Sequence, residues 1–426
     1  MRPLILLLLF LSSFCSLYAS PGNDSLPGGR APQARFDPQA ATREYLNTLS
    51  PAKKAKSDAY FEGGYWLLVW NVLYDGLVAL LLLSAGLSRW IKKIAGRFRQ
   101  VNIRNGVYGV LYIVIVYVLD FPLAVYQGFF REHQYDLSNQ TFLQWFGENL
   151  ITLALAVVMG GIMLVILYWA FRRAKARWWV WGAVITIGFN IIFSIIYPVF
   201  ISPLFNKYTP LAEGPLKDQI LSIARANRIP ADNVYQFDAS RQSDRISANV
   251  SGFGSTIRIS LNDNLLKRCG PAEIKSVMGH EMGHYVLNHI YTGLVELGIV
   301  ILIGFAFVNW LFTKLVRRNG TRWEIRDITD IGGLPLLAFL FSLYSFIATP
   351  VTNTITRTQE IEADQFGLNA AREPDGFAAI AMKLSEYRKI DPGYWEEIIF
   401  FDHPSGRNRV FAAMTWKGEN PGAGEK

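Results

Sequence analysis

Long apolar stretches, each close to the length of one membrane crossing, dominate this sequence of 426 residues. A helix needs roughly 20 predominantly apolar residues to cross the hydrocarbon core of a bilayer. Backbone exposed to lipid must satisfy its own hydrogen bonds, so such stretches fold as helices. Six stretches have this length: 65–87, 107–126, 150–171, 178–200, 294–315 and 331–350. The sequence therefore predicts a mainly α, polytopic membrane protein with a polar region between the fourth and fifth spans.

The composition agrees with this architecture, because 51% of the residues are hydrophobic. That is too apolar for an ordinary soluble protein. The formal net charge is +8. In a membrane protein, an excess of basic residues indicates cytoplasmic loops more often than nucleic-acid binding. We therefore expect the lipid bilayer, and no nucleic acid, as a partner. Cys15 lies in the leader and Cys269 is then alone, so we expect no disulfide within the mature chain.

The N-terminus carries a targeting pattern. One arginine precedes the apolar run 4–11, and small residues follow at Ala19 and Ser20. This predicts a secretory signal peptide cleaved near Ala19, with an uncleaved membrane anchor as the alternative.

Basic residues concentrate in three loops that lie on one side of the predicted membrane region. The loops follow the first, third and fifth spans, and their basic residues are Arg89, Lys92, Lys93, Arg97, Arg99, Arg104, Arg172, Arg173, Lys175, Arg177, Lys314, Arg317, Arg318, Arg322 and Arg326. The positive-inside rule makes these loops cytoplasmic. The polar region and the segment after Pro350 are then predicted to face the periplasm or exterior, in a bacterial inner membrane.

The polar region contains the run His280-Glu281-Met282-Gly283-His284 on a helix predicted to start at Pro271. A helix turns about 100° per residue, so His280 and His284 lie about 40° apart on one face and can bind the same metal ion. Glu281 points to the side of that face. It can act as a general base without being a ligand, as in HExxH zinc peptidases.

A third ligand is available directly after the sixth span. Glu360 and Asp364 lie four residues apart on a predicted continuation of that helix, so one can bind zinc while the other fixes a histidine tautomer. Two histidines and one glutamate make an open catalytic site for one Zn²⁺. Glu362 is an alternative third ligand, and a solvated acidic helix end is the alternative without a function.

A predicted strand pair in the polar region offers a place for a peptide. Runs 234–237 and 256–261 have strand character and lie either side of a glycine-rich turn at 249–254. An exposed strand edge can bind an extended peptide through main-chain hydrogen bonds. We therefore expect Asn249, Val250, Ser251 and Gly252 to bind substrate; a small structural hairpin is the alternative.

Four carboxylates fall within predicted spans, namely Asp75, Asp120, Glu148 and Glu296. A carboxylate in lipid is costly, so we expect these side chains to face the interior of the bundle or a wet cavity. A position at the membrane interface is the alternative.

These motifs resemble those of a known family. The run 280–284 with His289 five residues on, and Glu360-x-x-Ala363-Asp364, are similar to the integral-membrane CAAX prenyl protease 1 family of zinc metallopeptidases. Other similar segments are 203–211, 247–265, Asn139-Gln140-Thr141, and His403-Pro404 with Arg409. The resemblance covers residues 58–416.

The resemblance implies specific roles. His280, His284 and Glu360 would be the zinc ligands and Glu281 the general base. Asp364 would contact a ligand, while His403 and Arg409 would line the site and stabilise the oxyanion. The implied fold is a ring of membrane helices around a chamber, closed on one side by a small α+β metallopeptidase domain with a short hairpin or sheet.

The predicted organisation follows the chain: signal peptide or anchor (1–20), flexible or amphipathic segment (21–57), four membrane helices (58–201), peptidase domain (202–290), two membrane helices (291–358), C-terminal part of the peptidase domain (359–416) and disordered tail (417–426). The predicted activity is peptide-bond hydrolysis. The resemblance suggests prenylated CAAX substrates, whereas the leader and an outward-facing site suggest quality control of membrane or exported proteins. A transporter or scaffold with a structural zinc is the alternative from another class.

Overall fold

The computed structural model describes residues 36–252 and 257–422, so the predicted leader lies outside the described residues. The helices, numbered along the chain, are α1 (Pro38–Asn47), α2 (Pro51–Ser84), α3 (Leu87–Ala95), α4 (Val101–Val125), α5 (Arg131–Gln134), α6 (Phe142–Leu155), α7 (Gly161–Ala174), α8 (Trp178–Ile196), α9 (Pro215–Ala226), α10 (Asp263–Arg268), α11 (Pro271–Val286), α12 (His289–Trp323), α13 (Leu334–Ala371), α14 (Pro374–Leu384), α15 (Tyr394–Phe400) and α16 (Gly406–Glu419). The strands are β1 (Tyr208–Pro210), β2 (Val234–Phe237), β3 (Ala248–Ser251) and β4 (Arg258–Asn262).

Five continuous helical stretches among the described residues are long and apolar enough to cross a membrane. Four of them contain one predicted span each. The fifth, Phe142–Leu204, contains two. It is broken at Lys175, which has φ 49°, and a short 3-10 turn then leads into α8, which packs back against α7. The six predicted spans are therefore six separate helices.

The six helices that contain the predicted spans form a closed ring, in which each helix contacts the next. In order around the ring, α2 contacts α13, α13 contacts α12, α12 contacts α8, α8 contacts α7, α7 contacts α4, and α4 contacts α2. Large apolar side chains such as Leu143, Val118 and Val295 are exposed along these helical stretches, as expected of surfaces that contact lipid. This agrees with the predicted ring of membrane helices.

The polar region carries a small sheet of four strands within the described residues, in the order β1-β2-β4-β3. The prediction of a turn at 249–254 is wrong for its first three residues. These lie in β3, an edge strand paired antiparallel to β4, in which Val250 is opposite the buried Ile259. Asn, Ser and Gly favour turns locally, but pairing with an apolar neighbour strand outweighs that preference.

Two helices from distant parts of the sequence cross at very short range. As predicted, α11 carries the HExxH run and α13 continues without a break from the sixth span to residues 360–364. A Cβ on Gly283 would lie 3.1 Å from the Ala363 Cα, and one on Gly367 would lie 2.8 Å from the His280 backbone nitrogen. Only glycine permits this approach, which brings the last turns of α13 against the histidine face of α11.

Three of the four carboxylates predicted in the spans contact neighbouring elements. The Ser342 hydroxyl donates to Asp75, Gln359 donates to Glu296 at 2.8 Å, and Glu148 pairs with Arg241 of the polar region at 2.8 Å. The fourth, Asp120, has a buried Oδ1 to which no described group donates. The contacts of Asp75 and Glu296 with neighbouring helices agree with the interior of the bundle, whereas the contact of Glu148 with the polar region agrees with the alternative of a position at the membrane interface.

Candidate active site

Three side chains converge at the crossing of α11 and α13. His280 Nε2 lies 3.2 Å from one carboxylate oxygen of Glu360, and His284 Nε2 lies 3.3 Å from the other. The two Nε2 atoms are 3.2 Å apart. Glu360 Oε2 is buried and no described group donates a hydrogen bond to it. A buried acceptor beside two imidazole nitrogens is a suitable donor set for a metal cation.

A carboxylate and a guanidinium hold His280 in place. His280 Nδ1 lies 2.7 Å from Asp364 Oδ1, and Arg409 donates to both oxygens of Asp364 at 2.9 and 2.5 Å. Burial disfavours a charged imidazole, but the adjacent Asp364 and Glu360 carboxylates outweigh it and raise the pKa of His280 to about 10. The contact with Asp364 also orients the ring: in the form that can bind a metal through Nε2, His280 carries its hydrogen on Nδ1 and donates it to Asp364.

Glu281 faces a cavity beside the ligands. The cavity has a volume of about 210 Å³, and its lining includes His280, Glu281, Glu360 and His403. Burial raises the pKa of Glu281 above its ordinary value, although the neighbouring imidazoles oppose the shift. A carboxylate with a raised pKa is a better proton acceptor near neutral pH, so Glu281 suits a general base.

His403 comes from the segment before α16 and reaches the same cavity. Its Nε2 lies 3.3 Å from Glu360 Oε2, and its Nδ1 lies 2.8 Å from Asp402 Oδ1. The contact with Asp402 orients the ring so that Nε2 faces Glu360 and the cavity. Without the family resemblance, His403 is a single C-terminal histidine, so sequence spacing alone does not identify it.

The predicted substrate-binding residues lie near the cavity but do not line it. Asn249, Val250 and Ser251 lie in the edge strand β3, while the cavity is lined by the residues just before them, from Ile246 to Ala248. Gly252 lines a different cavity of about 240 Å³, together with His284. Substrate binding by Asn249, Val250, Ser251 and Gly252 therefore stays a prediction, and the residues that line the cavity beside Glu281 precede them in the chain.

Asp402, Arg388 and Tyr387 are site residues that sequence reasoning missed. Asp402 orients His403, and Arg388 Nη2 lies 3.5 Å from His403 Nε2. Tyr387 and Arg388 line the cavity from the segment that follows α14. Asp402 was accessible from the sequence, because it directly precedes the histidine it contacts. The other two carry no motif.

Sequence comparison identifies the family. Residues 210–417 match the profile of Peptidase family M48, and residues 38–207 match that of the CAAX prenyl protease N-terminal region, described as five membrane helices. A Bacillus subtilis (strain 168) protein named Uncharacterized metalloprotease YhfN is 31% identical over 367 residues, or 85% of each chain. CAAX prenyl protease 1 of Saccharomyces cerevisiae is 26% identical over 312 residues, covering 69% of this chain and 68% of that protein.

Structural comparison gives the same fold. The crystal structure of S. mikatae Ste24p superposes with a TM-score of 0.71 at 22% identity, covering 88% of this chain and 94% of that chain. Membership in a peptidase family confirms the prediction of a hydrolase and rejects the alternative of a transporter or scaffold with a structural zinc. It also implies a metal ion. The chain belongs to Peptidase family M48 and is an integral-membrane metalloendopeptidase homologous to the CAAX prenyl proteases.

Proposed function

We propose that this enzyme is a zinc endopeptidase in which His280, His284 and Glu360 bind one Zn²⁺ and Glu281 is the general base. The observation that carries the proposal is the convergence of two imidazole nitrogens and the Glu360 carboxylate within 3.2–3.3 Å of one another. Two histidines and one glutamate leave a coordination position open, which distinguishes catalytic zinc sites from structural ones.

The residues around the ligands support a division of roles in peptide hydrolysis. Zinc, when bound, supplies Lewis acidity that polarises the scissile carbonyl and acidifies water. Glu281 accepts the proton of the attacking water and delivers it to the leaving amine. His403, with Nε2 facing the cavity, stabilises the developing oxyanion. Arg409 lines the cavity, but two of its nitrogens hold Asp364, so we assign it to positioning His280 through that carboxylate.

The register of the sheet indicates how β3 can bind a peptide. Asn262 N–H donates to the Ser247 carbonyl at 2.9 Å, so hydrogen-bonded pairs recur at every second residue along β3. The main-chain groups of Asn249 and Ser251 therefore face β4, while those of Ala248 and Val250 point to the free edge. An extended substrate can pair with those two residues and lie along the cavity.

The chemistry of the cavity favours an apolar side chain next to the scissile bond. Phe377, Ile380 and Leu384 of α14 line the same cavity as Ala248 of β3. A pocket with an apolar wall and a few polar groups binds apolar side chains by excluding water and uses the polar groups for orientation. We therefore expect cleavage next to residues such as Leu, Ile or Phe.

The positions of the basic loops support a site that faces away from the cytoplasm. The helices α12 and α13 meet the ligand cluster at His289 and Glu360 and are joined by the loop 324–330 at the opposite end of the ring. Arg89 pairs with Glu324 of that loop at 2.8 Å, so the first and third basic loops lie together at that end. The positive-inside rule then directs the site to the periplasm or exterior.

This orientation favours membrane or exported proteins as substrates, and prenylated proteins remain the second candidate because of the relatives' names. The test is a Glu281→Gln variant, which keeps the ligands and removes the base. We expect it to retain zinc, to lose peptide cleavage, and to capture substrates in cells. Capture of exported or membrane proteins supports the first candidate, and capture of prenylated proteins supports the second. Retained, chelator-sensitive cleavage would reject Glu281 as the base.

A further inference from the structure

The second metal ligand, His284, has its own hydrogen-bonded support, separate from the one that holds His280. His284 Nδ1 lies 2.9 Å from His289 Nδ1, and His289 Nε2 lies 3.1 Å from Glu362 Oε2. His289 is 6% exposed. A buried imidazole between a ligand and a carboxylate has few alternative partners, so its two contacts fix its orientation.

The break between α11 and α12 creates this contact. Asn288 has φ 60°, a left-handed conformation that asparagine adopts more readily than most residues. The chain turns there, and α12 starts with His289 directly beside the last turn of α11. The buried His289 ring then stacks edge-to-face on His284, with 5.0 Å between ring centroids.

The hydrogen positions allow one consistent arrangement when His284 binds a metal through Nε2. His284 must then carry its hydrogen on Nδ1, which donates to His289 Nδ1. His289 consequently carries its hydrogen on Nε2, which donates to the Glu362 carboxylate. In this arrangement each of the two contacts, His284 Nδ1 to His289 Nδ1 and His289 Nε2 to Glu362, pairs one hydrogen-bond donor with one acceptor.

We propose that His289 and Glu362 are positioning residues for His284, forming an imidazole-carboxylate support that sets its tautomer and its affinity for zinc. The inference rests on the proposed ligand set. It also gives Glu362 a role different from that of a third ligand, since its oxygen lies against His289 Nε2. Partners of metal-bound histidines typically change metal affinity by about 10- to 100-fold when removed.

The two supports differ in their surroundings. The Asp364 and Arg409 side chains are 6% and 7% exposed, whereas the Glu362 side chain is 55% exposed. A solvated carboxylate is screened and holds its partner less strongly than a buried one. We therefore expect the His289 support to contribute less to zinc affinity than the Asp364 support.

The experiment measures the zinc dissociation constant of the full chain in detergent by chelator competition, with the absorption spectrum of the cobalt-substituted protein as a readout of ligand geometry. The variants are His289→Ala, Glu362→Ala and the double variant. The controls are Thr292→Ala, whose hydroxyl contacts the backbone carbonyls of Asn288 and His289 but not the His289 ring, and Glu296→Gln, which removes a nearby carboxylate that contacts Gln359.

We expect His289→Ala to bind zinc about 10-fold or more weakly than the unmodified protein. Glu362→Ala should also bind zinc more weakly than the unmodified protein, by a smaller factor than His289→Ala, and both variants should alter the cobalt spectrum. Because Glu362 acts through His289, the double variant should match His289→Ala. Both controls should behave as the unmodified protein. If His289→Ala fails to fold, Glu362→Ala alone decides the outcome.

Zinc affinities equal to that of the unmodified protein in His289→Ala and Glu362→Ala would overturn the inference. A larger loss in Glu362→Ala that persists in the double variant would overturn it too, because Glu362 would then be a ligand. Failure of the underlying ligand set has a different signature: His284→Ala would retain the zinc affinity of the unmodified protein.

Discussion

Asp364 contacts both His280, a proposed metal ligand, and an arginine: its Oδ1 lies 2.7 Å from His280 Nδ1 and 2.5 Å from Arg409 Nη2. All three side chains are buried. Replacement by asparagine, as Asp364→Asn, removes the charge that balances Arg409 and places an amide where a carboxylate accepted from both partners. We expect about 10- to 100-fold weaker zinc binding, measured by chelator competition.

Loss of the same carboxylate should also lower stability. Breaking a buried ion pair by removing one partner costs about 3–5 kcal/mol, because the remaining charge is left without its partner. Asp375→Asn is the matched control, since Asp375 is 51% exposed and pairs with Lys417 at the surface. We expect a clear fall in Tm for Asp364→Asn and almost none for Asp375→Asn; equal Tm values would contradict the role assigned to the buried pair.

The close crossing of α11 and α13 makes Gly367 sensitive to the smallest side chain. A methyl group there would lie 2.8 Å from the His280 backbone nitrogen, so Gly367→Ala must push the helices apart. Overpacking of this kind costs about 1–3 kcal/mol, and here it also moves Glu360 relative to the histidines. We expect a lower Tm together with weaker zinc binding.

Gly188 provides the control for this prediction. It lies in α8, and a Cβ there would meet nothing within 4 Å. Because alanine is the better helix former, Gly188→Ala should leave the protein unchanged or stabilise it by up to about 1 kcal/mol. An effect of Gly367→Ala no larger than that of Gly188→Ala would show that the crossing tolerates a side chain.

Much of this architecture was accessible from the sequence because the signals were local and periodic. The number and length of the apolar stretches predict six membrane-spanning helices. The four-residue spacing of His280 and His284 places both side chains on one face of a helix. The convergence of Glu360 with them was also predicted, since α13 reads as one helix across the membrane boundary. These features depend on helix geometry, which acts over a few residues.

The features that sequence reasoning missed depend on contacts between distant residues. Strand β3 has turn-forming residues, and only its pairing with β4 identifies it as a strand. The glycines of the crossing have no periodic signal, because their role exists only when α13 lies against α11. The contact of Glu362 with His289 likewise joins residues 73 apart in the chain, so a contact with His289 was not foreseen.

Metal removal should destabilise the protein as well as inactivate it. A ligand that binds only the folded state stabilises it by about 2.7 kcal/mol when its free concentration is 100 times Kd. We therefore expect chelation to lower Tm and added zinc to restore it. His284→Ala should show a much smaller zinc-dependent change in Tm, whereas Glu281→Gln should keep the full change. An identical response in His284→Ala would argue against His284 as a ligand.

The main-chain groups of Val250 give a test of peptide binding at the edge of the sheet. Its N–H points away from β4, so Val250→Pro removes a donor to the substrate while sparing the bonds within the sheet. We expect an increase in KM of about 5- to 10-fold, the loss of one hydrogen bond worth about 1 kcal/mol, with zinc content unchanged. Val250→Ala retains the N–H and is the control. A KM for Val250→Pro equal to that of Val250→Ala would remove this edge from the substrate path.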